Sequence, residues 1–264
     1  MTAVVYTIAS GKGGTGKTTA TANIGTALAA LGKRVVILDA DIGMANLGLV
    51  MGLEKRPVTL HEVLSGTARI EDAIYEGPAG VMVAPCGISL KGFQSSNPER
   101  LKDVMGRLVD QFEIMLIDAP AGISKDAVIP MAIADEVILV VNPELSSMAD
   151  GLKTKILTEM VGGRVKGAIV NRAGMEKVEI PKQKVAELLN TRIIGVVPED
   201  PNVRRAAAFK TPLVINAPRS PAAVAFKKIA ANLAGTEFKE DIENNGKKES
   251  FVEKLARSLF GGRK

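Results

Sequence analysis

Seven short, almost unbroken apolar runs punctuate this chain: VVYTIA (4–9), RVVIL (34–38), VMVA (81–84), EIMLI (113–117), VILVV (137–141), KGAIV (166–170) and IIGVV (193–197). A strand with one face in water alternates apolar and polar residues. A run that is apolar throughout is buried on both faces, as in a parallel sheet covered by helices. Helix-length segments lie between the runs, near 17–31, 98–110, 146–161, 181–190 and 219–234; Asn97 is a cap for the second of these, with Pro98 and Glu99 in its first turn. This alternation predicts an α/β fold, a doubly wound, mostly parallel sheet of about seven or eight strands flanked by helices. The 264 residues, 46% of them apolar, suffice for one large core, and with aromatics at 3% it must be built from Ala, Val, Ile, Leu and Met. No internal repeat or second domain is visible.

Immediately after the first run, SGKGGTGKTT (10–19) fits the phosphate-loop pattern G-x-x-x-x-G-K-[ST]. Gly11 and Gly16 bracket the loop, with Gly13, Gly14 and Thr15 inside it and Lys17, Thr18 and Thr19 opening the next helix. Glycines let backbone N–H groups turn inward and approach phosphate oxygens, and the helix N-terminus adds favourable partial charge. Lys17 is placed for the β- and γ-phosphates, and the Thr18 hydroxyl for Mg²⁺. Two other strands end in acids: Asp118 after EIMLI, and Asp39 with Asp41 after RVVIL. Ligands of parallel α/β sheets bind beyond the strands' carboxyl ends, so these acids converge on the phosphate loop, Asp118 and Asp39 as candidates for the metal. A strand-end aspartate can equally cap a helix, an alternative that stays open for Asp39.

Lys12, a second lysine at the opposite end of the loop, has no part in that pattern. In KGGTGKTT it resembles the signature lysine of the MinD/ParA family of deviant Walker A ATPases. The similarity continues through LDADIGMANLGLVMG, LIDAPAGI, VVNPELSSMADGLK, VNR and VPEDPNVRRAAAFKTP and covers roughly residues 3 to 235. The resemblance implies a homodimer formed with Mg²⁺ and ATP. Lys12 would reach the partner's phosphates, as an arginine finger does. It also implies that Asp41 positions the attacking water, that the Gly122 backbone N–H senses the γ-phosphate, and that Asn171 and Arg172 lie beside adenine in a pocket completed by Pro198, Glu199 and Asp200. Glu144 would touch nucleotide across the dimer.

On this reading residues 1–235 form the ATPase domain. TEFKEDIENNGKKE, lacking an apolar face, makes 236–249 a linker, and 250–264 becomes periodic again. On a helical wheel Phe251, Val252, Leu255, Leu259 and Phe260 share one half with Ala256, opposite Glu253, Lys254, Arg257 and Ser258. A core-packed helix would show the same stripe. The polar linker and flanking basic residues favour an interfacial helix on an anionic membrane, and the resemblance also implies a membrane-targeting C-terminus. One such helix binds lipid weakly; two in a dimer gain about 10²-fold or more through effective concentration.

Charge and single residues narrow the rest. Residues 246–264 hold six basic and two acidic residues, so most of the net +5 belongs to the tail and the body is nearly neutral. That argues against a ParA-like grip on nucleic acid. One cysteine, Cys86, excludes an intramolecular disulfide and fits poorly with a cluster-carrying reductase; it is read as a buried thiol. His61, the single histidine, has no nucleophile or metal partner nearby in sequence and is read as a surface or capping residue. With no secretory signal and no apolar run of about 18 residues, the chain is expected to be soluble and cytoplasmic. A regulatory switch on another client stays open, and the partner is expected to be a division or polarity regulator.

Overall fold

The computed structural model describes residues 2–87, 89–175 and 179–238. The amphipathic segment at 250–264, and the expected linker from 239 onward, lie outside the described residues. Among the described residues eight strands form one sheet: β1 Val4–Ala9, β2 Val35–Asp39, β3 Tyr75–Glu76, β4 Met82–Ala84, β5 Ile114–Asp118, β6 Glu136–Val141, β7 Val165–Ala173 and β8 Ile193–Pro198. Their order is β3-β4-β2-β5-β1-β6-β7-β8, and every pairing is parallel except that of β3 with β4.

The continuous apolar runs follow from this arrangement. Successive strand residues point to opposite faces, and both faces are covered. Ile37, Leu116 and Ile138 pack with Ile24 and Leu28 of the Lys17–Ala30 helix and with Phe226 and Ile229 of the Pro221–Ala234 helix. Their neighbours Val36, Leu38, Met115 and Ile117 pack on the other face with Leu60, Leu64 and Leu101. Beyond them, Leu139 and Val141 meet Met148, Val185 and Leu189. Burying each such side chain contributes about 1.5–3 kcal/mol, so helix positions are decided by packing more than by propensity. Gly25 shows how close that packing is: a Cβ there would collide with the Ile37 side chain.

Three departures from the periodicity have local causes. The two-residue edge strand β3 is too short to show a pattern. The helix read at 98–110 is a 3₁₀ turn, Pro98–Arg100, capped by Asn97, followed by a helix Leu101–Gly106 only. A helix at Lys125–Ile133 was hidden by its internal Pro130, which reads as a breaker. Pairing places Asp39 beside Asp118, and Ile8 beside Asp118, so β2, β5 and β1 deliver their carboxyl ends to one place.

Candidate functional site

The chain leaves β1 at Ala9, turns through the glycine loop, and enters the Lys17–Ala30 helix with Gly16 as its N-cap. Gly14 and Gly16 have φ of 80° and 91°, a left-handed conformation open to glycine. A Cβ on Gly16 would also strike the Asn171 amide, which donates to the Thr15 carbonyl at 2.7 Å and fastens the loop to β7.

Asp118 is the hub. Its carboxylate accepts from Lys17 Nζ at 3.3 Å and from Thr18 Oγ1 at 2.6 Å, with Thr21 Oγ1 at 3.1 Å. Lys17 is 7% exposed and Asp118 1%, so the pair is a desolvated ion pair at the loop's floor. Thr21 escaped the motif, although its spacing of four residues from Lys17 puts both on one helix face. Asp39, wholly buried, accepts the backbone amides of Asp41 and Leu47, both at 3.3 Å. Its bonds close the loop from Asp39 to Leu47. Burial, with Asp118 and Asp41 alongside, pushes its carboxyl well above the ordinary range.

Asp41, half-buried, accepts the Met44 amide at 3.1 Å, and burial raises its carboxyl too, against the pull of Lys17. With Met44, Asn46 and the loop residues from Gly13 to Thr19 it lines a cleft of about 490 Å³. The Gly122 amide does not face that cleft freely: it donates to the Ser10 carbonyl at 2.9 Å. A second cleft of about 200 Å³ shares Gly14, Gly16 and Thr19 with the first and is walled by Asn171, Arg172, Pro198, Glu199 and Asp200. Arg172 pairs with Glu199 at 2.9 Å. Asp200 has a second part besides lining the cleft. Burial raises its carboxyl, but the amides of Asn202 and Ala222 and the Ser220 hydroxyl hold it below the ordinary range, so it is the cap that fixes this corner. Val203, Arg204 and Phe226 also line this cleft and carried no motif signal.

The two lysines part company. Lys12 lines neither cleft; its Nζ donates to Glu144 at 3.2 Å and to Ser146 at 3.0 Å. Adjacent clefts sized for a phosphate chain and for a base, joined at a glycine loop, form a nucleotide site. Residues 6–213 match the family described as the CobQ/CobB/MinD/ParA nucleotide binding domain.

This chain belongs to the MinD/ParA family. It is 53% identical, over 99% of its length and 98% of the relative's, to an uncharacterized ATP-binding protein of Methanocaldococcus jannaschii. The cell division ATPase MinD of Pyrococcus furiosus superposes with a TM-score of 0.85 at 39% identity, over 88% of this chain and 98% of that one. The septum site-determining protein MinD of Pyrococcus horikoshii, solved with Mg-ADP, gives 0.84 at 37%, over 88% and 96%. Against this MinD/ParA framework the phosphate-loop, acid and base-side residues are brought together, and Lys12 and Glu144 meet each other. Phe251, Val252, Leu255, Leu259 and Phe260 lie outside the described residues.

Proposed function

We propose that this chain is a MinD-type ATPase switch in the spatial placement of cell division: it binds Mg-ATP, pairs face to face with a second copy, hydrolyses the nucleotide and separates. The observation that carries this reading is the placement of the two lysines. Lys17 sits inside the cleft on Asp118, whereas Lys12 stands outside it on Glu144 and Ser146. A cation that does not face its own cleft is available to a neighbour's.

Within one subunit, the loop amides and Lys17 bind the phosphate chain, with Lys17 exchanging its carboxylate partner for phosphate oxygens. Thr18 and Asp118 would hold Mg²⁺, which would supply charge neutralisation at the phosphates. Asn171 has an amide N–H engaged with Thr15, so its oxygen is the group it offers an adenine amine. Asp41, steadied by the Met44 amide, accepts a hydrogen bond from the attacking water and orients it. Lys12 of the paired copy places positive charge where the leaving phosphate develops negative charge.

The same reading gives the C-terminal segment its purpose. The apolar half of 250–264 attaches the paired form peripherally to the anionic inner face of the cell membrane, and separation after hydrolysis weakens it. The test is light scattering with a nonhydrolysable ATP analogue beside equilibrium nucleotide binding. Lys12→Ala should bind nucleotide within about twofold of the parent, because Lys17 and the loop amides remain, yet stay monomeric. Normal ATP-dependent pairing by that variant, or a parent that binds no ATP, sinks the reading.

A further inference from the structure

We propose that His61 is a positioning residue that clamps the Asp41 loop from behind through one hydrogen bond. Of the surface or capping role expected for it, the surface half is overturned: His61 is 1% exposed, on the helix Leu60–Ser65. Its Nε2 lies 3.0 Å from the Ile42 carbonyl oxygen. A carbonyl only accepts, so Nε2 carries a proton and donates it. Its Nδ1 is buried and has no hydrogen-bond partner among the described residues. It lies against two glycines: a Cβ on Gly87 would come within 3.0 Å of it, and one on Gly92 nearer still. Two missing side chains therefore make the room that the ring occupies.

The contact matters because of what it holds. The Ile42 carbonyl is one residue from Asp41. The loop is tied to itself by the Asp39 carboxylate to the amides of Asp41 and Leu47, by Asp41 to the Met44 amide, and by Ile42 N–H to the Ala40 carbonyl. His61 ties that unit to another element. The helix carrying the ring is itself held, by the Thr59–Glu62 capping box and by Leu60 N–H on the Pro85 carbonyl at 2.9 Å. Ile42, Gly43, Met44, His61 and Phe93 line an open cleft of about 350 Å³. Met44 and Asn46 face both this cleft and the phosphate cleft. Ile42 packs in the core with Leu60 and Leu64 while Gly43 and Met44 stand exposed beside this cleft, so the His61 bond fixes the Ile42 backbone to a second element at the point where packing stops, and through it where the Asp41 carboxylate stands. Displacing a catalytic group by an ångström costs up to about 10²-fold in rate.

The catalytic consequence rests on the ATPase reading above; the clamp itself is measurable without it. His61→Leu keeps the volume and deletes the donor, and His61→Gln returns an amide N–H at about the reach of Nε2. In the nucleotide-free full chain, hydrogen exchange at the amides of Asp41 to Leu47 should quicken on the order of 10-fold in His61→Leu, the scale of one lost buried hydrogen bond, and return toward the parent in His61→Gln. ATP turnover should fall by a similar factor in His61→Leu, with ATP affinity within about twofold, and recover in His61→Gln. His61→Asn, too short to reach Ile42, makes the same comparison if His61→Leu does not fold. Parental exchange in the donor-less variant overturns the clamp, as does equal loosening in His61→Gln, which would assign the ring a packing role only. Exchange as expected in a parent that turns over no ATP would uphold the clamp and remove the ATPase reading instead.

Discussion

Replacing Lys17 with methionine should destabilise the nucleotide-free protein as well as abolish ATP binding. The structure sets the size. Lys17 and Asp118 are 7% and 1% exposed, and breaking a buried pair by removing one partner costs about 3–5 kcal/mol. Asp118 keeps the Thr18 and Thr21 hydroxyls, so the lower end, about 3 kcal/mol, applies. For a domain of this length that corresponds to a fall of roughly 6–12 °C in Tm. Adding Asp118→Asn removes the stranded charge and should restore about half of the loss or more. The pH dependence has a definite sign. Asp39 already holds its proton above the ordinary carboxyl range, so between the unfolded and folded values the folded chain binds more protons, and stability falls as pH rises through that window. Lys17 pulls that carboxyl down, and its loss extends the window upward, so the Lys17→Met deficit should be larger at a pH above the window than at one below it. Thermal unfolding followed by circular dichroism, without nucleotide, at both pH values decides it. A Lys17→Met protein melting with the parent, or a double variant no better than the single one, refutes the argument.

Gly16→Ala should cost about 1–3 kcal/mol from the left-handed backbone at φ 91° and, by displacing the Asn171 amide from Thr15, loosen the base-side cleft; a denaturant titration that matches the parent's would contradict this. Cys86, pushed well above 9.0 by burial with Asp39 nearby, carries less thiolate at any pH below that, so alkylation in the native state should be slow and become fast only on unfolding; rapid native labelling near pH 8 would speak against the burial. Deleting 250–264 should leave ATP binding unchanged and abolish ATP-dependent sedimentation with anionic liposomes, whereas equal sedimentation of the full chain with ADP and ATP would rule out pairing as the source of its affinity.

The sequence by itself carried the parallel sheet, because strands buried on both faces must be apolar at every position, and all seven runs became strands of one sheet. It carried the phosphate loop too, since a turn that presents amides to phosphate is made of contiguous residues with a fixed spacing. What the tertiary structure decided is which distant groups meet. Lys12 and Glu144 are 132 residues apart and Asn171 and Thr15 are 156 apart; periodicity within one element says nothing about contacts across several crossovers. Asp39, Asp41 and Asp118 look alike at strand ends, and only the order β2-β5-β1 makes one a hub for side-chain donors, one a closer of the loop and one a residue lining the cleft. His61 is the plainest case. A lone polar residue on a short helix reads as a surface or capping residue, and it is buried because glycines at 87 and 92, on a segment that meets this helix only in the folded chain, leave a space of its size beside the loop that carries Asp41.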